Sequence, residues 1–401
     1  MTDLDLIKSI AVTSPARIVM LVIDGLGGLP HPATGRTELE TAHKPNLDRL
    51  AAEGTCGLTV PVDHGITAGS GAGHLALFGY DPLKYNIGRG VLEAVGIDFD
   101  LKPGDIAARG NFATVDSAGL VTDRRAGRIA TEKSAELCHL LDGTTIGQAK
   151  VIVRPVKEHR FVVILRGGQL SPEVADTDPE RTGVAPLPPK ATAADGEATA
   201  AIVSQFIARA KDRLAKHAPA NMVLLRGFSR HPDWPSMSEI YKLRPAAIAA
   251  YPMYRGVARL VGMEVLETGA TVQEEIATLR ERFADFDFFF VHVKGADAAG
   301  EDGDFDREVR VIEEVDGALP ALLELKPDVI VVCGDHSTPA AIRGHSWHPV
   351  PALVWSKWCR PDVVKEFGES ACLHGGLGLI PATSLMPLAM ANALKLTKFG
   401  A

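Results

Sequence analysis

The sequence predicts an α/β protein with a mostly parallel sheet flanked by helices and a smaller α+β domain inserted into it. Continuous apolar runs are typical of strands that are buried on both faces, as in parallel sheets. Three such runs lie at residues 17–23, 287–293 and 328–333. Between residues 104 and 219 the pattern changes to strand pairs and a proline-rich loop. We therefore predict a core domain formed by residues 1–103 and 220–401, with an inserted domain at 104–219.

The composition is that of an ordinary soluble globular protein. The chain has 401 residues, 46% of them hydrophobic and 23% charged, which is enough for two domains. Its net charge of -8 argues against nucleic acid or an anionic membrane as the main partner. Residues 1–6 are acidic, unlike a signal peptide, and no apolar run reaches the ~20 residues of a membrane span. With five scattered cysteines, which suit reduced thiols, we expect a cytoplasmic protein.

The first apolar run ends at Asp24, at the position where ligands bind in open α/β sheets. A helix is predicted over residues 44–51, with Gly54 after its end, and a short strand follows at 57–60. Strand, helix and strand together are a plausible βαβ unit. Asp24 is interpreted either as a ligand of a site at this edge or as a turn residue or helix cap.

Residues 67–74 form a glycine-rich stretch around Ser70, which lies between Gly69 and Gly71. Apolar residues 75–78 follow, so the stretch is expected to be a tight loop that leads into a buried helix. Backbone N–H groups at such a helix start are free to face an anion. Ser70 is therefore a candidate nucleophile, while a flexible turn is the alternative interpretation.

The same patterns predict the remaining elements of both domains. Helices are expected near residues 194–216, 304–325 and 384–394, and strands at 150–156, 160–165 and 351–355. In the inserted domain, a charged cluster combines one acid with three arginines, namely Asp123, Arg124, Arg125 and Arg128. Paired guanidinium groups are the preferred ligands of phosphate and carboxylate. The cluster is interpreted as a substrate-anion site or, alternatively, as a solvated loop.

Acidic and imidazole side chains follow the second and third apolar runs. Asp297 and Glu301 are four residues apart, so one helical turn would place both carboxylates on the same side. Asp335 and His336 follow the third run directly, and His345 lies in a short loop beyond them.

Three separate strands therefore end near an acid, at Asp24, Asp297 and Asp335. Carboxylates that converge on one crevice repel each other and need cations to compensate them. Two divalent metal ions would meet this need. They would also activate Ser70 and stabilise the charge that develops during an in-line phosphoryl transfer.

The order of these motifs resembles the alkaline phosphatase superfamily. The motifs are Asp24-Gly25, Ser70 with Gly73-His74, Asp297, Asp335-His336 and His345-Ser346. Within the superfamily, further segments are similar to the archaeal-type cofactor-independent phosphoglycerate mutases; they lie at residues 79–82, 88–90, 111–116, 123–128, 176–179 and 225–227. The resemblance extends over about residues 17–394, and it implies an alkaline-phosphatase-like core with an inserted cap domain.

The resemblance also implies the ligands and the reaction. One metal ion would be bound by Asp24, Ser70, Asp335 and His336, and the other by Asp297, Glu301 and His345. The metal ions are expected to be Mn²⁺, with Mg²⁺, Co²⁺ and Zn²⁺ as alternatives. Ser70 would accept the phosphoryl group of phosphoglycerate and return it to the other hydroxyl of glycerate, which interconverts 3-phosphoglycerate and 2-phosphoglycerate in glycolysis and gluconeogenesis.

The partner implied is a small phosphorylated metabolite, and the oligomeric state stays open. The charged cluster of the inserted domain would bind glycerate, through Asp123, Arg124, Arg125 and Arg128. Arg244 and Arg255 are further substrate candidates, and His74 would support the metal ligands. His292, Lys294 and His348 are near these motifs without an assigned role.

Two positions depart from the expected pattern. Residue 301 is Glu where the superfamily is expected to have a histidine ligand, and Gly71-Ala72 replace an expected Asp-Thr pair. Glutamate still suits hard ions such as Mn²⁺ and Mg²⁺. Two alternatives therefore stay open: a phosphatase or phosphomutase of the same superfamily that acts on another small phosphorylated metabolite, and a metal-poor inactive relative that binds such a ligand.

Overall fold

A computed structural model describes residues 3–400. Its strands, in chain order, are β1 (Ile18–Ile23), β2 (Thr55–Val60), β3 (Ile106–Val115), β4 (Val121–Asp123), β5 (Thr144–Ile146), β6 (Ala149–Lys157), β7 (Arg160–Arg166), β8 (Met222–Arg230), β9 (Pro245–Ala249), β10 (Glu264–Leu266), β11 (Phe288–Val293), β12 (Val329–Cys333), β13 (Val350–Ser356) and β14 (Gly378–Pro381). They form two sheets, each within its own compact unit of the chain.

The α-helices, in chain order, are α1 (Leu4–Ile10), α2 (Glu38–Thr41), α3 (Pro45–Glu53), α4 (Ser70–Leu77), α5 (Arg89–Val95), α6 (Thr131–Leu141), α7 (Glu197–Leu214), α8 (Met237–Tyr241), α9 (Pro252–Leu260), α10 (Val272–Arg282), α11 (Gly295–Asp302), α12 (Phe305–Leu323), α13 (Glu369–Cys372) and α14 (Leu385–Asn392). Short 3₁₀ turns lie at Ala126–Arg128, Ala194–Gly196 and Ala382–Ser384. Among residues 3–400, no helix has the length and hydropathy that crossing a membrane requires.

The first compact unit, described here over residues 3–86 and 234–400, contains an eight-stranded sheet. The strand order is β10-β9-β11-β1-β12-β13-β2-β14. Only β13 runs antiparallel to its neighbours, so the predicted mostly parallel sheet is confirmed. The three predicted apolar runs correspond to adjacent strands, with β1 between β11 and β12. Their shared register brings the carboxyl ends of these three strands to one edge of the sheet.

The central strands are buried on both faces, as their continuous apolar sequences predict. All six residues of β1 are buried, and the alternating residues Val19, Leu21 and Ile23 contribute to an apolar core. On that face the core also includes residues of α10 and α12. Helix α14 contacts β12 and β13. Helices thus cover a sheet whose interior strands have no solvent-exposed face.

The predicted βαβ unit at the start of the chain is only partly correct. Helix α3 does lie between β1 and β2 in the chain; it begins with Pro45, and Gly54 follows its last residue, Glu53, as expected. However, β2 is not a neighbour of β1, because β12 and β13 lie between them. Both edges of β1 are occupied by the more continuously apolar strands β11 and β12, so β2 pairs instead with β13 and β14.

The second compact unit consists of residues 87–233. This unit is wider at both ends than the inserted domain predicted at 104–219. Strand β8 adds to the second sheet by pairing with β3, and α5 packs on β3 and β8. The predicted strand pair is the β6–β7 hairpin, and the predicted long helix is α7. Apolar residues of α6, α7 and the sheet form a separate core.

Candidate active site

The candidate site lies at the carboxyl ends of β1, β11 and β12. Asp24 directly follows β1, and its backbone oxygen accepts a hydrogen bond from the Asp297 N–H at 2.9 Å. Gly25 has a φ of +80°, and a Cβ at this position would lie 2.7 Å from the Cα of Asp297. A glycine is therefore needed after Asp24 for α11 to approach β1 this closely.

A first cluster of possible metal ligands combines Asp24, Asp335 and His336, all of them buried. The Nε2 atom of His336 lies 3.1 Å from Oδ2 of Asp335 and 3.6 Å from Oδ1 of Asp24. Within residues 3–400, those two carboxylate oxygens have no hydrogen-bond partner. Because a buried carboxylate oxygen without a partner is costly, this arrangement fits a bound cation.

His74 supports this cluster from helix α4. Its Nδ1 atom lies 3.1 Å from Oδ2 of Asp335 but 2.8 Å from the backbone oxygen of Ser70. Because the Ser70 oxygen is the closer of the two, we assign the Nδ1 hydrogen of His74 to a hydrogen bond with that oxygen. Oδ2 of Asp335 therefore has no hydrogen-bond donor. Burial alone would raise the pKa of Asp335, but the neighbouring His336 and His74 hold that pKa well below its usual range.

A second cluster combines Asp297, His336 and His345. The Nε2 atom of His345 lies 3.4 Å from Oδ1 of Asp297, and its Nδ1 lies 3.0 Å from the backbone oxygen of Ala68, which fixes the ring orientation. The rings of His336 and His345 stack with centroids 3.6 Å apart. Thr338 donates its hydroxyl hydrogen to Oδ1 of Asp297 at 2.8 Å.

The imidazole of His345 is charged in this arrangement. Burial alone would lower the pKa of His345, but its contacts with Asp297 and Ala68 raise it to about 9. Burial alone would raise the pKa of the Asp297 carboxyl group, but His345 and Lys294 hold that pKa well below its usual range. A metal ion takes the neutral imidazole, so ion binding at this cluster would release the His345 proton.

Ser70 lies beside both clusters as the first residue of α4, with Gly69 at the N-cap position. Its Oγ is 3.2 Å from Nε2 of His336, the residue that the two clusters share. The predicted helix is present, but it begins at Ser70, within the stretch that was predicted to be a loop. The serine hydroxyl is placed at a helix N-terminus and next to possible metal ligands, which is a suitable setting for a nucleophile that receives an anionic group.

Lys294 and His292 contact the same carboxylates, although the sequence analysis gave them no role. Oδ2 of Asp24 lies 3.1 Å from Nε2 of His292 and 3.2 Å from Nζ of Lys294. Lys294 also forms an ion pair with Asp297 and donates to the Tyr254 hydroxyl at 2.9 Å. His292 lies at the end of β11 and Lys294 directly follows it, so their position was predictable from the sequence but their partners were not.

The second unit contains a pocket of about 410 Å³ that is lined mainly by cationic side chains. We call it the basic pocket. Its cationic residues are Arg109, Arg125, Arg128, Lys157, Arg160 and Arg226. Four of them, Arg125, Arg128, Lys157 and Arg160, form no ion pair with a carboxylate of residues 3–400. The pocket therefore offers unneutralised positive charge to an anion.

The structure assigns a different role to the other two members of the predicted charged cluster. Arg124 donates from Nε and Nη2 to the two oxygens of Asp178, both at 2.8 Å. Asp123 accepts the backbone N–H groups of Arg125 and Gly127 at 2.7 and 2.6 Å. Neither side chain lines the basic pocket. Arg124 and Asp123 therefore stabilise the fold of the loop, and their contact with the substrate stays a prediction.

Comparison with known proteins identifies the family. Residues 51–221 match the family model of 2,3-bisphosphoglycerate-independent phosphoglycerate mutase. Proteins named as probable mutases of this kind from Thermotoga neapolitana and Thermus thermophilus are 51% and 48% identical, each over 98% of both chains. The chain belongs to the 2,3-bisphosphoglycerate-independent phosphoglycerate mutase family. The predicted enzyme class, an isomerase, is thereby confirmed.

The fold is shared with a solved structure of the same mutase family. The cofactor-independent phosphoglycerate mutase from Thermoplasma acidophilum is 29% identical, with a TM-score of 0.78, and the match covers 94% of this chain and all of the other. The predicted fold class is confirmed as well. Asp24, Asp297, Asp335, His336 and His345 lie together in two overlapping clusters, and Ser70 lies beside His336.

Glu301 is less closely associated with the site than predicted. It lies on α11, one helical turn after Asp297, as its spacing indicated. However, its side chain is exposed and belongs to neither ligand cluster, and its Oε1 is 3.8 Å from Nε2 of His345. His336 takes part in the second cluster instead.

Arg244 and Arg255, the other two predicted substrate residues, have different surroundings in the structure. Arg244 precedes β9 and so lies at the amino end of the parallel strands, opposite the edge with the metal-type residues. Arg255 follows β9 on α9, but its guanidinium pairs with both carboxylate oxygens of Glu267, at 3.3 and 2.6 Å. A substrate contact of either residue stays a prediction.

Four cationic residues of the basic pocket were not predicted from the sequence. Arg109 and Arg226 lie opposite each other in the pairing of β3 with β8, and Lys157 and Arg160 flank the β6–β7 turn. Strands β3 and β8 are far apart in sequence, so no local pattern predicts that Arg109 and Arg226 lie opposite each other. The spacing of Lys157 and Arg160 around a predicted hairpin was the one available indication.

Proposed function

We propose that the protein interconverts 3-phosphoglycerate and 2-phosphoglycerate through a phosphoserine on Ser70. The observation that supports this most directly is the 3.2 Å distance between Oγ of Ser70 and Nε2 of His336, which belongs to both ligand clusters. Membership of the mutase family supports the choice of substrate. We place the reaction in glycolysis and gluconeogenesis and expect it in the cytoplasm.

Two divalent cations would be bound at the ligand clusters, and we propose Mn²⁺ as the preferred ion. Asp24, Asp335 and His336, with Ser70, would bind one ion, and Asp297 and His345 would bind the other, with the Glu301 carboxylate moving in as a further ligand. The orphaned buried oxygens and the oxygen and imidazole donors fit such ions. Bound cations would supply Lewis-acid activation of the serine hydroxyl and neutralise charge on the transferred phosphoryl group.

The proposed reaction has two half-reactions. In the first, the bond between phosphorus and O3 of 3-phosphoglycerate breaks, phosphorus bonds to Oγ of Ser70, and the serine proton ends on O3 of glycerate. In the second, O2 of glycerate takes the phosphoryl group, and its proton restores the Ser70 hydroxyl. No water is consumed, so the balance is that of an isomerisation.

Residues of this chain would assist both half-reactions. The N-terminus of α4, where Ser70 is the first residue, favours negative charge on the phosphoryl group. Lys294 is within hydrogen-bond distance of Asp24, and burial alone would lower its pKa, but Asp24 and Asp297 raise it above the ordinary range. It therefore stays cationic and can bind a phosphoryl oxygen. The basic pocket, through Arg125 and Arg128, would bind the glycerate carboxylate.

The test is to give metal-stripped protein 3-phosphoglycerate with and without Mn²⁺ while both 2-phosphoglycerate and free phosphate are measured. We expect Mn²⁺-dependent 2-phosphoglycerate with little free phosphate. Ser70→Ala should lower turnover by about 10⁴-fold or more and should abolish the phosphoprotein seen by intact mass after acid quench. Ser9→Ala, which changes an exposed serine of α1, is the matched control.

Other outcomes would redirect the assignment. Free phosphate as the only product would make the protein a phosphatase. No product from protein with bound metal would indicate a different phosphorylated metabolite as substrate. Full activity of Ser70→Ala would exclude the phosphoserine.

A further inference from the structure

Two neutral polar side chains lie among the cations of the basic pocket. Asn111 lies on β3 two residues after Arg109, so both are on the same face of the strand. His159 lies in the turn that connects β6 to β7. Both side chains line the pocket, and both are buried, with 6% and 7% of their surface exposed.

The position of His159 is fixed by its backbone. The preceding residue, Glu158, has a φ of +51° and donates its N–H to Oγ1 of Thr131 at 3.0 Å. The backbone oxygen of His159 accepts the N–H of Phe112 at 2.9 Å. These backbone contacts anchor both sides of the turn. The fold of the turn therefore directs the imidazole into the pocket without a hydrogen bond from the ring itself.

Each of the two neutral side chains has an atom without a hydrogen-bond partner in the part of the chain that the structure describes. These atoms are Oδ1 of Asn111 and Nδ1 of His159. The nearest carboxylate oxygen, on Glu158, is 3.8 Å from Nδ1, which is too long for a hydrogen bond. A buried polar atom without a partner is unfavourable, so two such atoms in one pocket point to a ligand that satisfies them.

The imidazole of His159 is neutral in the folded protein. Burial lowers its pKa, and the positive charges of Arg160, Arg125 and Arg128 lower it further, while Glu158 opposes them. A neutral imidazole has one nitrogen that donates and one that accepts. An asparagine amide likewise offers an acceptor oxygen and two donor hydrogens. Both residues can therefore accept a hydrogen bond from a hydroxyl group and donate one to it. The surrounding cations can only donate hydrogen bonds.

We propose that Asn111 and His159 make the basic pocket selective for hydroxycarboxylates by hydrogen bonding to the hydroxyl groups of glycerate, while the arginines bind its carboxylate. This inference rests on the proposed function and adds the residues that determine its specificity. Cations alone would accept any small anion. A site whose buried acceptors need a hydroxyl discriminates against an analogue that lacks one, because its own polar atoms are then left unpaired.

The test uses the full-length, metal-stripped protein and isothermal titration with D-glycerate, propionate and inorganic phosphate. Propionate has the same carbon chain and charge as glycerate but no hydroxyl. We expect the protein to bind glycerate about 10- to 100-fold more tightly than propionate, at about 10-fold for each hydrogen bond lost. His159→Leu should reduce that ratio about 10-fold by weakening glycerate alone, and Asn111→Leu should do the same.

Two further variants keep the test decisive. His159→Gln retains a neutral donor and acceptor, so it should restore most of the preference for glycerate. His139→Leu changes an exposed histidine on α6 of the same unit and should leave the ratio unchanged. Each variant is first compared with the unchanged protein by thermal unfolding, so that a variant that has lost its fold is not interpreted as a loss of selectivity.

The inference is overturned if His159→Leu and Asn111→Leu keep the original ratio of glycerate to propionate affinity, or if the unchanged protein binds propionate or phosphate as tightly as glycerate. Its failure differs from that of the proposed function. Mutase turnover together with unchanged ratios of glycerate to propionate affinity in both variants would support the phosphoserine reaction. It would also exclude Asn111 and His159 as determinants of selectivity. A selective pocket without mutase turnover would retain the inference and remove the proposed reaction.

Discussion

Gly73 of helix α4 packs directly against the backbone of Asp335. A Cβ at this position would meet the carbonyl carbon of Asp335 at 2.9 Å and its Cβ at 3.0 Å, and the carbonyl oxygen closer still. The helix that begins with Ser70 and the segment that follows β12 can therefore approach each other only because residue 73 has no side chain. This contact sets the distance between the serine and the first ligand cluster.

We predict that Gly73→Ala separates the serine from the metal-type ligands. The methyl group forces α4 or the Asp335 backbone to move, which should cost about 1–3 kcal/mol of folding free energy. It should also weaken divalent metal binding and turnover. Thermal unfolding and metal titration measure the two effects. Gly317→Ala is the matched control, because Gly317 lies within α12 with open space around it and should gain about 1 kcal/mol in helix propensity. A Gly73→Ala protein with unchanged metal affinity would contradict this account.

The neighbouring arginines Arg124 and Arg125 should respond differently to the same substitution. Arg125 lines the basic pocket without an ion pair, so Arg125→Ala should raise the KM for 3-phosphoglycerate about 10- to 100-fold, the value of a charge-assisted hydrogen bond, with little loss of stability. If substrate retention depends on this residue, the ratio of free phosphate to 2-phosphoglycerate also rises.

Arg124→Ala should instead lower stability. Its partner Asp178 is buried and accepts two hydrogen bonds from the guanidinium. Removal of Arg124 leaves a buried carboxylate with its main partner missing, at a cost of about 1–3 kcal/mol after allowance for the partly exposed guanidinium. Steady-state kinetics and urea unfolding of both variants distinguish the roles. Equal effects on KM would show that Arg124 also contacts the substrate.

The core of the site could be predicted from the sequence because it depends on local sequence patterns. Apolar runs that end in an acid locate strand ends, and parallel pairing brings strand ends to one edge. Asp24, Asp335 and His336 were predictable on this basis, and the structure brings them together. A helix near Ser70 was predictable for the same reason, since the glycines and the apolar residues beside it are adjacent in sequence.

Features that depend on pairing between distant strands were not predictable. The basic pocket needs β3 and β8, which are separated by most of the second unit, and their pairing places Arg109 opposite Arg226. The same pairing moved the predicted boundary of the second unit beyond residue 219. For Arg124, the charge pattern was correct but its partner Asp178 lies far away in sequence. A cluster of charges does not reveal which of its members are already paired.

Glu301 provides a test of metal binding with a nearby control. Its exposed carboxylate is one helical turn from Asp297 and 3.8 Å from His345, so a modest side-chain movement would bring it to a shared ion. We predict that Glu301→Gln weakens the second metal ion about 10- to 100-fold and leaves the first unchanged. Asp302→Asn, which changes the next acid of α11, should leave both affinities unchanged. Metal titration that finds two unaltered sites in Glu301→Gln would exclude this residue as a ligand.

Glu308 should make stability depend on pH. This residue of α12 is buried, and neither of its carboxylate oxygens has a hydrogen-bond partner. Burial raises its pKa to about 10, with further contributions from Glu38, Glu369 and Asp297. In the unfolded chain a glutamate releases its proton near pH 4.3. Between these values the unfolded state binds fewer protons than the folded state, so the free energy of unfolding falls as the pH rises.

We therefore predict that Glu308→Gln, which cannot ionise, removes this loss. The amide that replaces the carboxyl group changes the free energy of unfolding by an amount that does not depend on pH. The evidence is therefore how the stability difference between the variant and the unchanged protein varies with pH. Relative to the unchanged protein, the variant should gain about 4 kcal/mol between pH 5 and pH 8, measured by urea unfolding of metal-stripped protein. Glu314→Gln, on the exposed side of the same helix, should show no such change. A stability difference for Glu308→Gln that is constant over this range would mean that Glu308 is ionised in the folded protein, and that a bound cation or a water network compensates its charge.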